Sequence, residues 1–301
     1  MATPYSQQYP LGTPTLSGNS ITVDLMLKEP TRINQYISDI ALKKYFADRI
    51  FRTGGGVTGG ALLYSQLTAN DLFATRGVQE VAPGAEFPEV TFDRPAPKVA
   101  TVKKIGGKFR VTDEARDRND LSTIETEGRK LGNTITKDLH QRAIAELEAS
   151  ITAIGSDVQM AGVSWLDAAA ATMTTTAPAA QPAADFAKAQ LKAETFELGG
   201  TFDLWIVNPQ EMSNFQITYG DRWRDVLTNN GVDMIASNVV TAGTAYVVEE
   251  RMVGEFRTEQ PLNTVTWRDE ATESTWTQTS IRPVFAVTNP YSILKVTGLA
   301  A

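Results

Sequence analysis

The strongest constraint on the fold is a polar segment, residues 78–114, with the pattern of β-strands but too few apolar residues to build a core. Its apolar residues alternate in pairs, as in half-exposed strands: Val90 and Phe92, Ala100 and Val102, Phe109 and Val111. Pro95 and Pro97 fall where the chain would double back, since proline donates no hydrogen bond to a strand ladder. A polar two-stranded ribbon is marginal alone in water, so we expect it to lie on another copy of the same protein.

The charges of this ribbon are sorted by direction. Acidic residues lie on the way out, at Glu80, Glu86, Glu89 and Asp93. Basic residues lie on the way back, at Lys98, Lys103, Lys104, Lys108 and Arg110, and Arg94 completes the set of candidate inter-subunit contacts. The sorting predicts salt bridges, either between the two strands or with an adjacent subunit. A covalent isopeptide bond from a lysine to an Asn or Asp of a neighbour is a sharper alternative, which the spacing does not demonstrate.

Composition excludes several classes of protein. The 301 residues are 42% hydrophobic, which is ample material for a core, and the formal net charge of −7 argues against a protein whose main work is gripping nucleic acid. There is no cysteine, so no disulfide, thiolate zinc site or cysteine nucleophile is expected. No apolar block precedes Lys28, and the apolar runs are short for a bilayer span. We expect synthesis in the cytoplasm and no membrane association.

A glycine-rich run follows the first predicted helix, at Gly54, Gly55, Gly56, Gly59 and Gly60. A phosphate-binding loop would need Gly-Lys-Ser or Gly-Lys-Thr at its end, whereas Ala61 and Leu62 follow here. The run is therefore interpreted as a hinge at the base of the ribbon.

The order of elements predicts an α+β fold with one discontinuous domain. Residues 1–30 have the composition of an extended arm, and Ile33 and Ile37 belong to a short helix. Residues 120–154 predict one long helix, with Asn119 or Asp120 as its cap. A buried strand over 202–207 precedes a helix that starts at Asn208. Four further strands are predicted, at 245–249, 262–268, 275–287 and 291–297.

No constellation of residues predicts catalysis or a cofactor. The only histidine, His140, has Thr136, Lys137, Ala143 and Ile144 one helical turn away, which do not form a catalytic constellation with it, so a structural or surface role is expected. Two acidic clusters lack the calcium-loop pattern and are interpreted as solvated turns: Asp113, Glu114 and Asp117, and Asp269, Glu270 and Glu273. The five tryptophans are expected to be core or interface anchors, and Trp267 and Trp276 to face each other across a hairpin.

Taken in order, these elements resemble the major capsid protein of tailed bacteriophages, the Hong Kong 97 fold. Residues 81–88 (VAPGAEFP), leading through the ribbon to 109–114 (FRVTDE), are similar to the extended loop and its return into the spine helix. Residues 208–212 (NPQEM) are similar to the strand-to-helix step of the axial domain, and 282–297 (RPVFAVTNPYSILKVT) to the closing strands of the peripheral domain. The resemblance is one of order and pattern, without a single diagnostic residue.

The resemblance implies five parts. These are an N-terminal arm (1–30), a short helix with a Gly-rich hinge (31–60), an extended β-hairpin loop (61–114), a discontinuous peripheral domain around the long spine helix (115–155 and 261–301), and an axial domain (156–260). It also implies a non-enzymatic subunit that forms hexamers and pentamers, closing into an icosahedral virion shell around double-stranded DNA. Because about 30 residues precede the first predicted helix, it implies a separate scaffolding protein or none. A portal and a decoration protein are the other partners of such a shell.

Two other functions stay open from the sequence. An encapsulin-like compartment would use the same fold to hold a protein cargo. An α+β enzyme would require a convergent polar site, and the sequence offers none.

Overall fold

The computed structural model describes residues 23–42, 45–68, 80–89, 96–171, 177–197 and 200–300. Their helices are α1 (Val23–Lys28), α2 (Pro30–Leu42), α3 (Ala47–Ile50), α4 (Asp113–Asp117), α5 (Leu121–Ile154), α6 (Trp165–Ala170), α7 (Ala183–Thr195), α8 (Pro209–Tyr219) and α9 (Trp223–Asn229). Their strands are β1 (Phe51–Thr53), β2 (Ala61–Tyr64), β3 (Lys98–Thr101), β4 (Ile105–Thr112), β5 (Gln159–Ala161), β6 (Leu204–Val207), β7 (Asp233–Ala236), β8 (Thr244–Val248), β9 (Gly254–Asp269), β10 (Ser274–Val287) and β11 (Ile293–Thr297). Within these ranges, no helix is long and apolar enough to cross a bilayer.

Helix α5 runs for 34 residues and confirms the predicted long helix. Asp120 is its cap, because its side chain accepts a hydrogen bond from the Ser122 amide at 3.0 Å. Asn119 does not cap α5; its Oδ1 instead accepts the Val23 amide at 3.0 Å and fixes the start of α1. Apolar side chains along one face of α5 are buried in the largest core cluster: Ile135, Leu139, Ala143, Ile144, Leu147 and Ile151.

The prediction of an extended arm over residues 1–30 is wrong for residues 23–28, which form α1; residues 1–22 lie outside the described part of the chain. Val23 and Leu27 are four residues apart, so they share one face of α1. That face is buried with Ile33 and Ile37 of α2 and with Phe109 of β4. Packing against α2 and β4 therefore stabilises a helix at the end of the segment whose overall composition favoured an arm.

A four-stranded sheet, ordered β1-β9-β10-β4, lies beside α5. Strands β9 and β10 form a long antiparallel hairpin, and β4 pairs with β10 from residue 105 to residue 112. Phe109 and Val111 on the inner side of β4 are buried in the cluster that contains Ile124 of α5. Strands far apart in sequence thus pair beside the long helix, as expected for a discontinuous α+β domain.

The predicted ribbon has different strands from those expected. Its outgoing part, over residues 80–89, contains no strand, and residues 90–95 lie outside the described residues. The returning strand β3 pairs instead with β2, with Leu63 opposite Val99. The last part of the expected ribbon, β4, belongs to the four-stranded sheet, because its buried Phe109 and Val111 have a core to enter there.

A five-stranded sheet, ordered β5-β11-β8-β6-β7, forms the second part of the fold. Its strand β6 is buried at every position, as predicted, and Asn208 caps α8 by accepting the Gln210 amide at 3.0 Å. Strand β11, expected in the peripheral domain, pairs here with β8 and β5. Three of its five residues, Ile293, Leu294 and Val296, are fully buried, which a position inside this sheet explains.

Candidate subunit-contact surfaces

The outgoing segment 80–89 is exposed and carries the acidic candidates. Glu80, Glu86 and Glu89 are all exposed, and Phe87 between them is 81% exposed. A tight turn at Pro83 and Gly84, closed by the Ala85 amide on the Ala82 carbonyl at 3.0 Å, gives the segment its bend. The candidates Asp93 and Arg94 lie outside the described residues.

The basic candidates lie on β3, on β4 and on the link between them. Lys98 donates to Gln66, whose Nε2 donates to Ser150 of α5 at 2.8 Å, so this lysine is tied to the subunit's own long helix. Lys103, Lys104 and Arg110 are exposed, as is Lys108. Over the described residues, no ion pair joins any of these bases to Glu80, Glu86 or Glu89. The first alternative, pairing inside one chain, is therefore not seen where both partners are described.

The glycine run has two parts with different geometry. Its first half follows β9, since the Gly54 amide donates to Phe256 at 2.8 Å and the Val57 amide to Thr258 at 3.1 Å. Gly59 and Gly60 have φ of 85° and 75°, the left-handed region that favours glycine, and turn the chain into β2. That the run is a hinge stays a prediction. Because Gly54 and Val57 are bonded to β9, the predicted hinge is restricted to Gly59 and Gly60.

The outer side of the four-stranded sheet carries an aromatic pair with a cation over it. Trp267 and Trp276 are direct cross-strand partners, as predicted, with ring centroids 6.4 Å apart and planes 16° from parallel. The Lys108 Nζ lies 4.4 Å from the centroid of Trp276, within cation–π range. No sequence pattern indicates this third partner, because β4 is far from β9 and β10 along the chain.

The short β2–β3 hairpin exposes an apolar pair. Leu63 and Val99 lie opposite each other in the register, and they are 66% and 61% exposed. Two apolar side chains on one side of a two-stranded sheet need cover from outside that sheet.

Two polar networks that no sequence pattern predicted join the two parts of the fold. Arg49 of α3 bonds Glu250 at 2.9 Å and 3.1 Å and also pairs with Asp233 of β7. Glu148 of α5 accepts hydrogen bonds from Lys295 of β11, at 2.6 Å, and from Tyr246 of β8. Although burial acts to raise the pKa of Glu148, these two hydrogen bonds lower it below its ordinary value.

Asp185 of α7 is fully buried, which sequence reasoning also missed. It accepts hydrogen bonds from the Val163 amide at 3.0 Å, from the Trp165 indole at 3.0 Å and from Lys188 at 3.2 Å. A buried carboxylate with this many donors fixes the loop before α6 rather than performing chemistry.

The acidic clusters serve as turns and ion pairs. Arg268 bonds both oxygens of Asp113, at 2.9 Å and 2.7 Å, and holds the pKa of that carboxyl below its usual value. Asp269 accepts the Ala271 amide at 3.1 Å in the tight turn between β9 and β10. Across the described ranges, no group of three or more His, Cys, Asp or Glu residues could hold a metal ion.

His140 lies in the core, not on the surface. Its Nε2 accepts the Phe46 amide at 3.2 Å, its ring stacks on Phe46 at 3.9 Å, and Tyr45 covers it at 5.4 Å. Of the two roles predicted for His140, structural or surface, the structural one is thus confirmed. Burial lowers the pKa of His140 to about 4, because the charged ring would lose its hydration.

We expect His140 to make stability fall with acid. In the unfolded chain its pKa is about 6.5, so the unfolded state binds a proton that the folded state refuses between pH 6.5 and 4. Stability should be complete above pH 6.5 and fall by about 3 kcal/mol toward pH 4. Urea unfolding at pH 7.5 and 4.5 measures this loss. The His140→Gln variant keeps an acceptor but cannot titrate, so an equally large loss in that variant would contradict the assignment.

The chain is similar to a known family over most of its length. A family model described as phage capsid protein matches residues 95–296. No curated protein matches the chain.

Solved structures of a virus-like particle and of phages have a similar fold. A virus-like particle from Pyrococcus furiosus is 13% identical, with a TM-score of 0.60, over 88% of this chain and 98% of that chain. A structure from Mycobacterium phage Bobi is 13% identical, with a TM-score of 0.60, over 84% of this chain and 90% of that one. The capsid of Myoviridae phage XM1 is 13% identical, with a TM-score of 0.54, over 84% and 90%. At such identities the likeness shows the fold.

Proposed function

The chain belongs to the phage capsid protein family, and on that premise we propose that its copies join as hexamers and pentamers into an icosahedral shell around double-stranded DNA. The protein is a structural capsid subunit with the Hong Kong 97-like α+β fold. Its function is to assemble with further copies of itself, and we propose that it catalyses no reaction.

One observation carries the proposal beyond the family. Each subunit exposes acidic residues on 80–89 and basic residues on 103–110 that have no ionic partner among its own described residues. Because the described acidic and basic groups do not pair within one copy, we propose that they pair between copies. A contact between two different surfaces is heterologous, and heterologous contacts close into a ring when the rotation between neighbouring copies closes. Hexamers and pentamers are such rings.

The β2–β3 hairpin supports the same proposal. Its exposed Leu63 and Val99 have no cover within the described chain, and a two-stranded sheet gains stability when a third layer covers it. In a closed shell every subunit both gives and receives such a contact, so a modest free energy per contact is repeated over the whole assembly.

Further partners follow from this function as proposals. A shell that packages DNA needs a portal, and a separate scaffolding protein would set its size when the subunit supplies none. A decoration protein would bind outside. The fold would also suit an encapsulin-like compartment, but the family match favours the phage shell. We therefore place the protein in the virion, after synthesis in the host cytoplasm.

Charge reversal of Lys103 and Lys104 tests the proposed contact. Both lysines are exposed, and neither has an ion pair with a described residue. The double variant Lys103→Glu, Lys104→Glu should raise the concentration needed for shell formation about ten-fold or more, each ten-fold being about 1.4 kcal/mol. Sedimentation velocity measures the shells, and circular dichroism checks that the subunit is folded.

The control changes net charge equally at another place. Lys192 and Arg222 have no ion pair with a described residue, so Lys192→Glu with Arg222→Glu reports the effect of net charge alone. Equal losses in both double variants, or normal shells from the Lys103 and Lys104 variant, would contradict charge pairing at this surface.

A further inference from the structure

A pocket of about 270 Å³ lies where the end of α7 meets the turns that precede β9 and β11. Both turns connect one sheet to the other, so the pocket lies at the junction of the two parts of the fold. Three aromatic side chains line it: Phe196, Phe202 and Tyr291. Phe196 and Tyr291 meet edge to face, with ring centroids 5.4 Å apart and planes at 67°. Met252 also lines the pocket and is 55% exposed, so the pocket opens to solvent on that side.

One carboxylate lies among these rings. Glu249 directly follows β8, is partly buried and lines the same pocket. Its Oε2 accepts the Ser292 hydroxyl at 3.0 Å, and that hydroxyl accepts the Asn289 Nδ2 at 2.7 Å. These two hydrogen bonds fix the position of the carboxylate. Gly200 leaves room for it, since a Cβ at that residue would come within 3.1 Å of the Glu249 Oε2.

No cation of the described chain pairs with Glu249. It forms no ion pair with a described residue, and its Oε1 accepts no hydrogen bond from one. The next residue, Glu250, differs in this respect, because Arg49 bonds both of its oxygens at 3.1 Å and 2.9 Å. A carboxylate that is partly removed from water without a counter-charge lowers stability, and a bound cation reverses that loss.

We propose that this pocket binds an organic cation, an ammonium or guanidinium group on a short aliphatic chain. The charged group pairs with the Glu249 carboxylate and lies against the rings of Phe196 and Tyr291, which attract a cation through their faces. The aliphatic chain contacts Phe202 and Met252, as the stems of lysine and arginine do on apolar surfaces. None of these residues belongs to the proposed subunit contacts, so the site does not depend on the shell function.

Two other kinds of occupant fit the pocket less well. A purely apolar group would suit the rings, but it would remove Glu249 further from water and leave its charge without a partner. A metal ion such as Mg²⁺ or Ca²⁺ takes several oxygen ligands, and no described group of three or more His, Cys, Asp or Glu residues could hold a metal ion. An organic cation is the ligand that uses both the carboxylate and the rings.

Titration of the purified subunit with n-butylamine, which is cationic at pH 7.5, tests the proposal, and n-butanol is the uncharged probe of similar shape. In protein labelled at the methyl groups of its 7 methionines, the NMR signal of Met252 reports on the pocket, and Met252→Leu assigns it. The amine should shift this signal to saturation, and the alcohol should not. Glu249→Gln keeps an acceptor for Ser292 but loses the charge, so it should weaken amine binding about ten-fold. Phe196→Leu should weaken it about five-fold.

The matched control removes a carboxylate elsewhere. Glu125 of α5 is exposed and forms no ion pair with a described residue, so Glu125→Gln should leave amine binding unchanged. The signals of the other methionines show whether each variant is folded.

Protein concentration distinguishes the two sources of such a cation, a free amine or a lysine or arginine of a second copy. If a second copy supplies it, the Met252 signal moves toward the amine-saturated position as protein concentration rises without amine, and Glu249→Gln abolishes the movement. If a free amine supplies it, the signal moves only when amine is added. Equal shifts with n-butylamine and n-butanol, no shift with the amine, or unchanged amine binding in Glu249→Gln would overturn the proposal.

Discussion

Replacing Trp165 with alanine is expected to lower the free energy of unfolding by about 4 kcal/mol, a large share of the stability of an ordinary domain. Trp165 is fully buried and contacts Trp205 and Phe215, with ring centroids 6.1 Å and 5.6 Å away. The substitution empties the centre of this aromatic cluster. It also removes the indole donor that bonds the buried Asp185 at 3.0 Å, which adds the cost of a weakened carboxylate site.

The matched control makes the same change on the sheet surface. Trp267→Ala removes a side chain that is 39% exposed and loses its cross-strand partner Trp276 and a Lys108 Nζ that lies 6.0 Å from its ring centroid, so we expect about 1 kcal/mol. Urea unfolding of the unassembled subunit, followed by circular dichroism, compares the two variants. Equal losses would mean that Trp165 does not hold the core of the second sheet.

Replacing Gly254 with alanine is expected to cost about 3 kcal/mol or more. Gly254 is the first residue of β9, and its register partners are Phe51 of β1 and Val287 of β10. An added Cβ would overlap the Ala286 carbonyl oxygen and come within 2.9 Å of the Val287 Cα. Both are backbone atoms of a paired strand, so they cannot move aside as a flexible side chain would.

Gly55→Ala is the control for this prediction. A Cβ at Gly55 meets no atom within 4 Å, and alanine reduces the freedom of the unfolded chain, so stability should change by less than about 1 kcal/mol. Chemical denaturation of both variants gives the two values. A Gly254→Ala protein as stable as the Gly55→Ala protein would show that the sheet yields at this position.

Much of the fold was predictable because local patterns agree with the tertiary structure. The apolar period and the cap at Asp120 place the start of α5 to within one residue. Strand β6 could be found because its residues are apolar without interruption, and α8 because Asn208 and Pro209 form a standard start. Trp267 and Trp276 could be paired because they flank a single turn.

The wrong predictions concern residues whose secondary structure or burial depends on partners that are distant in the sequence. The ribbon predicts an outgoing strand, yet residues 80–89 contain none, and the returning β3 pairs with β2 instead. Residues 23–28 belong to a segment that is rich in Pro, Gly, Ser and Thr overall, yet they are helical because Val23 and Leu27 enter a core shared with β4. The burial of Asp185 could not be predicted for the same reason, since two of the residues that donate hydrogen bonds to it, Val163 and Trp165, lie about twenty residues earlier.

The candidate contacts were predictable as a set, but not as pairs. The sorting of charge identified the acidic and basic residues, and the structure places the two groups on surfaces that do not pair where both are described. The position of Lys108 over the ring of Trp276 could not be foreseen, because β4 is far from β9 and β10 along the chain. Patterns within one segment cannot report such a contact.

Electron cryomicroscopy of the purified, unmodified protein tests the central claim most directly. A capsid subunit whose exposed charges pair between copies should form closed shells of uniform diameter, with rings of six and five subunits in the reconstruction. A protein that stays a compact monomer at high concentration would contradict the claim.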